Sequence, residues 1–117
     1  MNIDPVTAAV VAVAGFLIVR KILKGGKVAQ NVVMEKIKAG AQVVDVRSSE
    51  EFRDGFYPGA VNIPVQDIAR RLGELKKDKT VVLYCASGAR SGMAARMLKQ
   101  AGYADVINAG GLGDMPR

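Results

Sequence analysis

Histidine is absent from this chain of 117 residues, and cysteine occurs once, as Cys85. Without a second thiol, no internal disulfide can staple the fold. Without histidine or another cysteine, a zinc site lacks its usual ligands, so no metal and no cofactor is expected. A nucleophilic cysteine here cannot be activated by an imidazole, so backbone dipoles and cations must do that work. Tryptophan is also missing, and aromatic residues make up only 5% of the chain. Basic residues are not interleaved with aromatics in any block, so nucleic-acid binding is not expected despite the net charge of +6. There is no internal repeat.

What is present is unevenly spread. From Val6 to Val19 only Thr7 and Gly15 interrupt an apolar run, and Arg20, Lys21, Lys24 and Lys27 follow. Those four cations against Asp4 place +3 of the +6 within residues 1–27. A membrane-spanning helix needs about 20 apolar residues. Val6 to Leu23 supplies 18 if Arg20 and Lys21 snorkel. A signal peptide is a second reading, but it wants a cationic start, and Met1-Asn2-Ile3-Asp4 offers an acid. A helix packed on the domain is a third. The anchor is preferred, which divides the chain into a membrane-anchor helix with a basic, glycine-containing linker (1–27) and a soluble domain (28–117). The cationic flank then faces the cytoplasm. This gives a single-pass protein of the cell membrane whose domain lies in the cytosol, where a thiol stays reduced.

Within the domain, helical and extended patterns alternate. Asn31 is a candidate N-cap for a helix over Val32–Ala39, ended by Gly40. Gln42 to Arg47 contains a short strand, and Ser48 or Ser49 can cap a turn holding Glu50, Glu51 and Phe52. Val61-Asn62-Ile63 can be extended, and Asp67 to Leu75 reads as a helix with Ile68, Leu72 and Leu75 on one face. Thr80 to Tyr84 is a strand. Arg90 to Ala101 is a helix with Met93, Ala94, Met97 and Leu98 inward, and Asp105 to Asn108 is a last strand before glycine-rich coil. The fold class expected is α/β: a small parallel sheet flanked by helices, preceded by an N-terminal apolar helix. In such sheets ligands bind beyond the carboxyl ends of the strands, and Cys85 stands at one.

The loop Cys85-Ala86-Ser87-Gly88-Ala89-Arg90 has the layout of an anion cradle. A free thiol with a pKa near 8.5 is mostly protonated at neutral pH, whereas the thiolate is the nucleophile. Small residues let consecutive N–H groups converge into a nest around a negative sulfur, and the following helix N-terminus adds positive potential. Arg90 contributes a permanent charge. Cys85 and Arg90 are therefore the candidate catalytic residues, and Ala86, Ser87, Gly88, Ala89 and Arg90 form the candidate substrate-binding loop. Asp45 and Arg47, at a strand end, are read as structural support. Met93 and Met97 are read as core filler, and Lys76, Lys77 and Lys79 as a solvated turn.

These pieces resemble a single-domain rhodanese, of the thiosulfate sulfurtransferase family. The resemblance runs over roughly residues 30 to 113 in the order Asp45-Val46-Arg47, Glu51-Phe52, Gly55 to Pro64, Tyr84 to Ser91 and Gly110-Gly111. It implies that Cys85 takes the outer sulfur of a donor such as thiosulfate as a persulfide. The sulfur then passes to a thiophilic acceptor such as cyanide or a thiol. Related folds that act as dual-specificity phosphatases or arsenate reductases carry a Cys-x5-Arg loop. The Cys-x4-Arg ring here suits one sulfur atom better than a tetrahedral phosphate. A non-catalytic binding or regulatory module on the same fold is the other alternative, disfavoured by the intact loop. Two departures from the family pattern are read as packing changes. Phe56-Tyr57 stands where His-Ile is usual, and Met115 lies where tryptophan often follows the double glycine. Ala89, where some members carry a cation, removes a contact for a sulfonate group.

Overall fold

A computed structural model describes residues 26–117. The apolar run Val6–Val19 and the cations Arg20, Lys21 and Lys24 lie outside the described residues, as does the N-terminal helix expected there. Among the described residues no helix is long and apolar enough to cross a membrane.

Four strands form one parallel sheet: β1 (Gln42–Asp45), β2 (Val61–Asn62), β3 (Val81–Cys85) and β4 (Val106–Gly111), in the order β2-β1-β3-β4. Helix α1 (Gln30–Lys38) precedes β1, α2 (Ser49–Arg53) lies between β1 and β2, and α3 (Ala89–Gln100) connects β3 to β4. The central strand β3 is buried along its whole length, as its unbroken apolar sequence requires of a strand covered on both faces. Side chains alternate across a strand. Val81, Leu83 and Cys85 therefore join Ala94, Ala95 and Leu98 of α3 in one core cluster. Val82 and Tyr84 join Val33 of α1 and Met115 in the other. This alternation sets Cys85 on the α3 face of the sheet.

Several sequence expectations need correction. Helix α1 starts at Gln30, two residues before the expected Val32, so Asn31 lies inside it, and Ala29 at its N-cap makes no side-chain cap bond. Gln30 instead donates to the carbonyls of Asp114 (3.1 Å) and Met115 (3.2 Å), so tertiary partners fix this end. Ser48 does cap α2, in a reciprocal capping box with Glu51.

The helix expected over Asp67–Leu75 is two 3-10 turns, Val65–Asp67 and Ala69–Glu74, with Arg71 off helical geometry at φ −112°, ψ 17°. Arg71 is drawn into a two-bond grip on Glu74 at 2.6 and 2.8 Å, and Gly73 weakens any α-helical continuation. Ile68 and Leu75 are nevertheless buried. Met93 is 49% exposed and not core, because the inward stripe of α3 is Ser91, Ala94, Ala95 and Leu98, at the i, i+3, i+4, i+7 spacing.

The last strand runs on through Gly110-Gly111 and ends in a 3-10 turn, Leu112–Asp114, where coil was expected. The glycines are there for proximity. Gly111 pairs with Cys85, and a Cβ on it would collide with the Ala86 carbonyl. Lys27 and Val28 lie along the far edge of β4. Lys27 bridges in parallel to Asn108, and the Val28 N–H donates to the Asn108 carbonyl at 2.8 Å.

Candidate active site

Strand β3 delivers Cys85 to the carboxyl end of the sheet, and the next four residues curl around its sulfur. The Gly88 N–H donates to Sγ at 3.0 Å. Gly88 has φ +101°, a left-handed conformation that side-chain-bearing residues resist, and it sits at the N-cap of α3. Cys85 itself is fully buried, while Ala86, Ser87 and Ala89 form an exposed rim.

Two residues not singled out by the sequence complete the pocket. The Ser91 hydroxyl lies 3.4 Å from Sγ and 2.7 Å from Asn108 Oδ1. Its single proton is best directed at Asn108. The Asn108 side chain, nearly buried, also accepts from the Gly110 N–H and donates to the Gly88 carbonyl, both at 3.0 Å. Asn108 thus pins the cysteine loop to the double glycine of β4. Ser91 was visible only as the residue after the arginine, and nothing local in the sequence marks Asn108.

The cradle acts on the thiol in opposite senses. Burial pushes the Cys85 thiol up, but hydrogen bonding from the Ser91 hydroxyl and from the Ser91, Ser87 and Gly88 backbone N–H groups outweighs it, leaving the thiol below its ordinary value. The backbone donors are the firmer part of this balance, because the Ser91 proton has a shorter partner in Asn108.

Arg90, the cation expected at this loop, interacts with Cys85 and is also paired with Glu51. Its two terminal nitrogens donate to the two oxygens of Glu51, at 2.7 and 3.0 Å. The Arg90 fork and the Ser48 cap together hold the Glu51 carboxyl down at about 2. The guanidinium is held protonated chiefly by Glu51, with a further electrostatic contribution from Cys85. Glu51 was legible as a capping residue and as part of the family pattern. Its partner stands 39 positions away.

Asp45 and Arg47 form a buried pair below the site. Arg47 Nη2 donates to Asp45 Oδ2 at 2.7 Å and to the Gly55 carbonyl at 2.6 Å. Tyr84, beneath the Arg47 guanidinium, has its hydroxyl pushed up to about 12, first by burial. That hydroxyl accepts the Tyr57 N–H at 3.0 Å, and Phe56 stacks on Phe52 with centroids 4.3 Å apart. The Tyr57 side chain packs against the α1-side cluster, whereas Phe56 stays 50% exposed on its stack with Phe52. Met115 is buried in that cluster. Among the described residues no group of three or more His, Cys, Asp or Glu could hold a metal ion.

Comparison with known proteins agrees with this geometry. Residues 29–113 match the rhodanese-like domain family, and the chain belongs to that family. It is 38% identical over 85 residues to the uncharacterized protein YqhL of Bacillus subtilis, covering 70% of this chain and 68% of that one. It is 40% identical over 74 residues to the thiosulfate sulfurtransferase PspE of Escherichia coli, covering 62% of this chain and 71% of that one. Among solved structures it is similar to a rhodanese with anions from E. coli. The TM-score is 0.62 at 38% identity, over 66% of this chain and 95% of that one.

Proposed function

We propose that this chain is a sulfurtransferase that carries sulfane sulfur on Cys85, taken from thiosulfate or a similar donor and passed to cyanide or a thiol. The observation that carries this reading is the loop itself, with the Gly88 N–H aimed at Sγ in a curl of small residues. With thiosulfate, the Cys85 thiolate attacks the outer sulfur. A new S–S bond forms at Sγ, the donor's S–S bond breaks, and its electron pair leaves with sulfite. The charge is −3 on both sides, so no oxidant or reductant is needed. The nest that favours the thiolate equally favours the persulfide anion left behind. An acceptor then takes the outer sulfur and restores the thiolate. Intact mass after thiosulfate treatment should rise by one sulfur atom and fall back with cyanide. An unchanged mass would overturn the reading.

Arg90 supports the anion from one side of this loop. Arg90→Ala should shift the pH profile of Cys85 alkylation upward, because a cation that favours the thiolate is gone. Arg90→Lys should restore only part of the shift, since a lysine cannot make the forked grip on Glu51. A profile unmoved in Arg90→Ala would make Arg90 a surface residue.

Residues 6–19 are proposed as the core of a single membrane-spanning helix, with Asp4 outside and the domain in the cytoplasm. The support is the apolar run and the four cations on one flank only. The full chain should then need detergent, while a chain beginning near Val28 is soluble and still transfers sulfur. A full chain that is monomeric in buffer, or cleaved and exported, would remove the anchor.

A further inference from the structure

The Ser91 hydroxyl has one proton, and acceptors compete for it. Its oxygen lies 2.7 Å from Asn108 Oδ1, 3.4 Å from Cys85 Sγ and 3.4 Å from the Gly110 carbonyl. Ser91 is fully buried and Asn108 nearly so, which leaves no water to arbitrate. The Asn108 amide has only one satisfactory orientation, because Nδ2 donates to the Gly88 carbonyl and Oδ1 accepts the Gly110 N–H, each at 3.0 Å. An acceptor therefore always faces Ser91. A hydroxyl proton rotates to suit its partners. Beside a neutral sulfur, the shorter bond to Oδ1 holds it. Beside a thiolate, the charged acceptor draws it away, since such bonds are about twice as strong as neutral ones. Asn108 bears the change without being orphaned, because Oδ1 keeps the Gly110 N–H.

We propose that Ser91 is a further catalytic residue and Asn108 its positioning residue: the Ser91 proton rests on Asn108 while Sγ carries the transferred sulfur and swings to Sγ as that sulfur departs, which favours release over uptake. This rests on the sulfur-transfer reading and assigns two residues to its second half. In the persulfide the negative charge lies on the outer sulfur, and Sγ is neutral. Cyanide attacks the outer sulfur. A C–S bond forms, the Sγ–S bond breaks, and its electron pair returns to Sγ. Charge is −2 before and after, and the Ser91 hydroxyl keeps its proton throughout. Sγ is the leaving group of this step, so a donor that reaches it as charge develops lowers the barrier. In uptake Sγ is the nucleophile, and the same bond must be given up. The charged groups around the site are already committed. Arg90 of α3 is held protonated by Glu51 of α2, itself at about 2. Asp114, in the turn after β4, is held below the usual carboxylate range by the Gly111 N–H and Lys27. On β1, Asp45 is paired with Arg47, and the Tyr84 hydroxyl of β3 lies at about 12.

Ser91→Ala removes the swinging proton and adds no bulk, and Asn108 Oδ1 still has the Gly110 N–H. The experiment loads the full chain with thiosulfate, removes the excess, and follows thiocyanate after mixing with cyanide, alongside the loading rate and the pH profile of Cys85 alkylation. In Ser91→Ala, release should slow about tenfold relative to loading, both measured above the alkylation midpoint, and that midpoint should rise by about one pH unit. One hydrogen bond to a charged sulfur accounts for both. Asn108→Ala removes the competing acceptor, so its midpoint should fall where that of Ser91→Ala rises. A slackened loop would instead raise both. Loading and release slowed in equal measure in Ser91→Ala, with an unmoved midpoint, overturns the proposal. Midpoints that rise in both variants overturn the part given to Asn108. Should Asn108→Ala not fold, the split between release and loading in Ser91→Ala decides by itself. A parent chain that takes no sulfur from thiosulfate overturns the sulfur-transfer reading together with this one. A parent that loads and releases, with no split in Ser91→Ala, overturns only the swing of Ser91.

Discussion

Replacing Cys85 by serine should abolish sulfur uptake, lowering transfer by at least about 10³-fold and leaving intact mass unchanged after thiosulfate or persulfide treatment. The substitution changes one atom. A serine oxygen at the same place can still accept the Gly88 N–H that now reaches Sγ at 3.0 Å, so the loop has every reason to keep its form. What disappears is the soft nucleophile. A hydroxyl is not ionised at neutral pH, and the nest's preference for an anion cannot make up that deficit as it does for a thiol. Cys85 is also the only cysteine in the chain, so no neighbouring thiol can accept the sulfur in its place. Circular dichroism should show Cys85→Ser as folded as the parent, which ties the loss to chemistry. Residual transfer within about tenfold of the parent would mean that sulfur passes between donor and acceptor without residing on the enzyme.

The parts of this site that were legible in the sequence are those made by neighbours. Residues 81–85 read as a buried strand because the run is apolar without a break, and a thiol followed by small residues and an arginine declares a loop turning into a helix. The Ser48–Glu51 capping box is likewise a spacing of three. What could not be read is what distant residues do to each other. Arg90 looks like a free cation until α2 brings Glu51 to it across 39 positions. Asn108 looks like an ordinary strand residue until its amide is seen tying Gly88 to Gly110. Gly110-Gly111 reads as coil because two glycines favour it, yet the strand continues through them, with the Ala86 carbonyl leaving no room for a Cβ at Gly111 and Gly110 at φ +94°. In the same way Ile68, Leu72 and Leu75 keep the inward spacing of a helix, while Arg71 and Gly73 turn the segment into 3-10 structure. Burial pattern survived there, and backbone class did not.

The largest stability effect is expected at Asp45. Its carboxylate is fully buried and takes four hydrogen bonds from Arg47: from the backbone N–H at 2.9 Å, from Nε at 3.0 Å to each oxygen, and from Nη2 at 2.7 Å. Asp45→Ala leaves the guanidinium of Arg47, a residue only 7% exposed, without its counter-charge beside the Tyr84 ring. Breaking a buried pair from one side costs about 3–5 kcal/mol, a large share of the roughly 5–15 kcal/mol that holds a domain together. For a domain of this size that is a fall in Tm on the order of 20 °C. Taking both charges out is a different matter, because the desolvation of each was a cost in the parent. Asp45→Val combined with Arg47→Met should recover part of the loss, short of full recovery because the Gly55 carbonyl also loses its 2.6 Å donor. Asp45 pairs with Tyr84 across β1 and β3, one residue short of Cys85, so a direct part in the chemistry has to be tested separately. Well below its lowered Tm, folded Asp45→Ala should take up sulfur within about twofold of the parent rate, and the alkylation profile of Cys85 should not move. A folded variant that loads sulfur more than about tenfold slower would place Asp45 in the machinery of transfer and not beneath it.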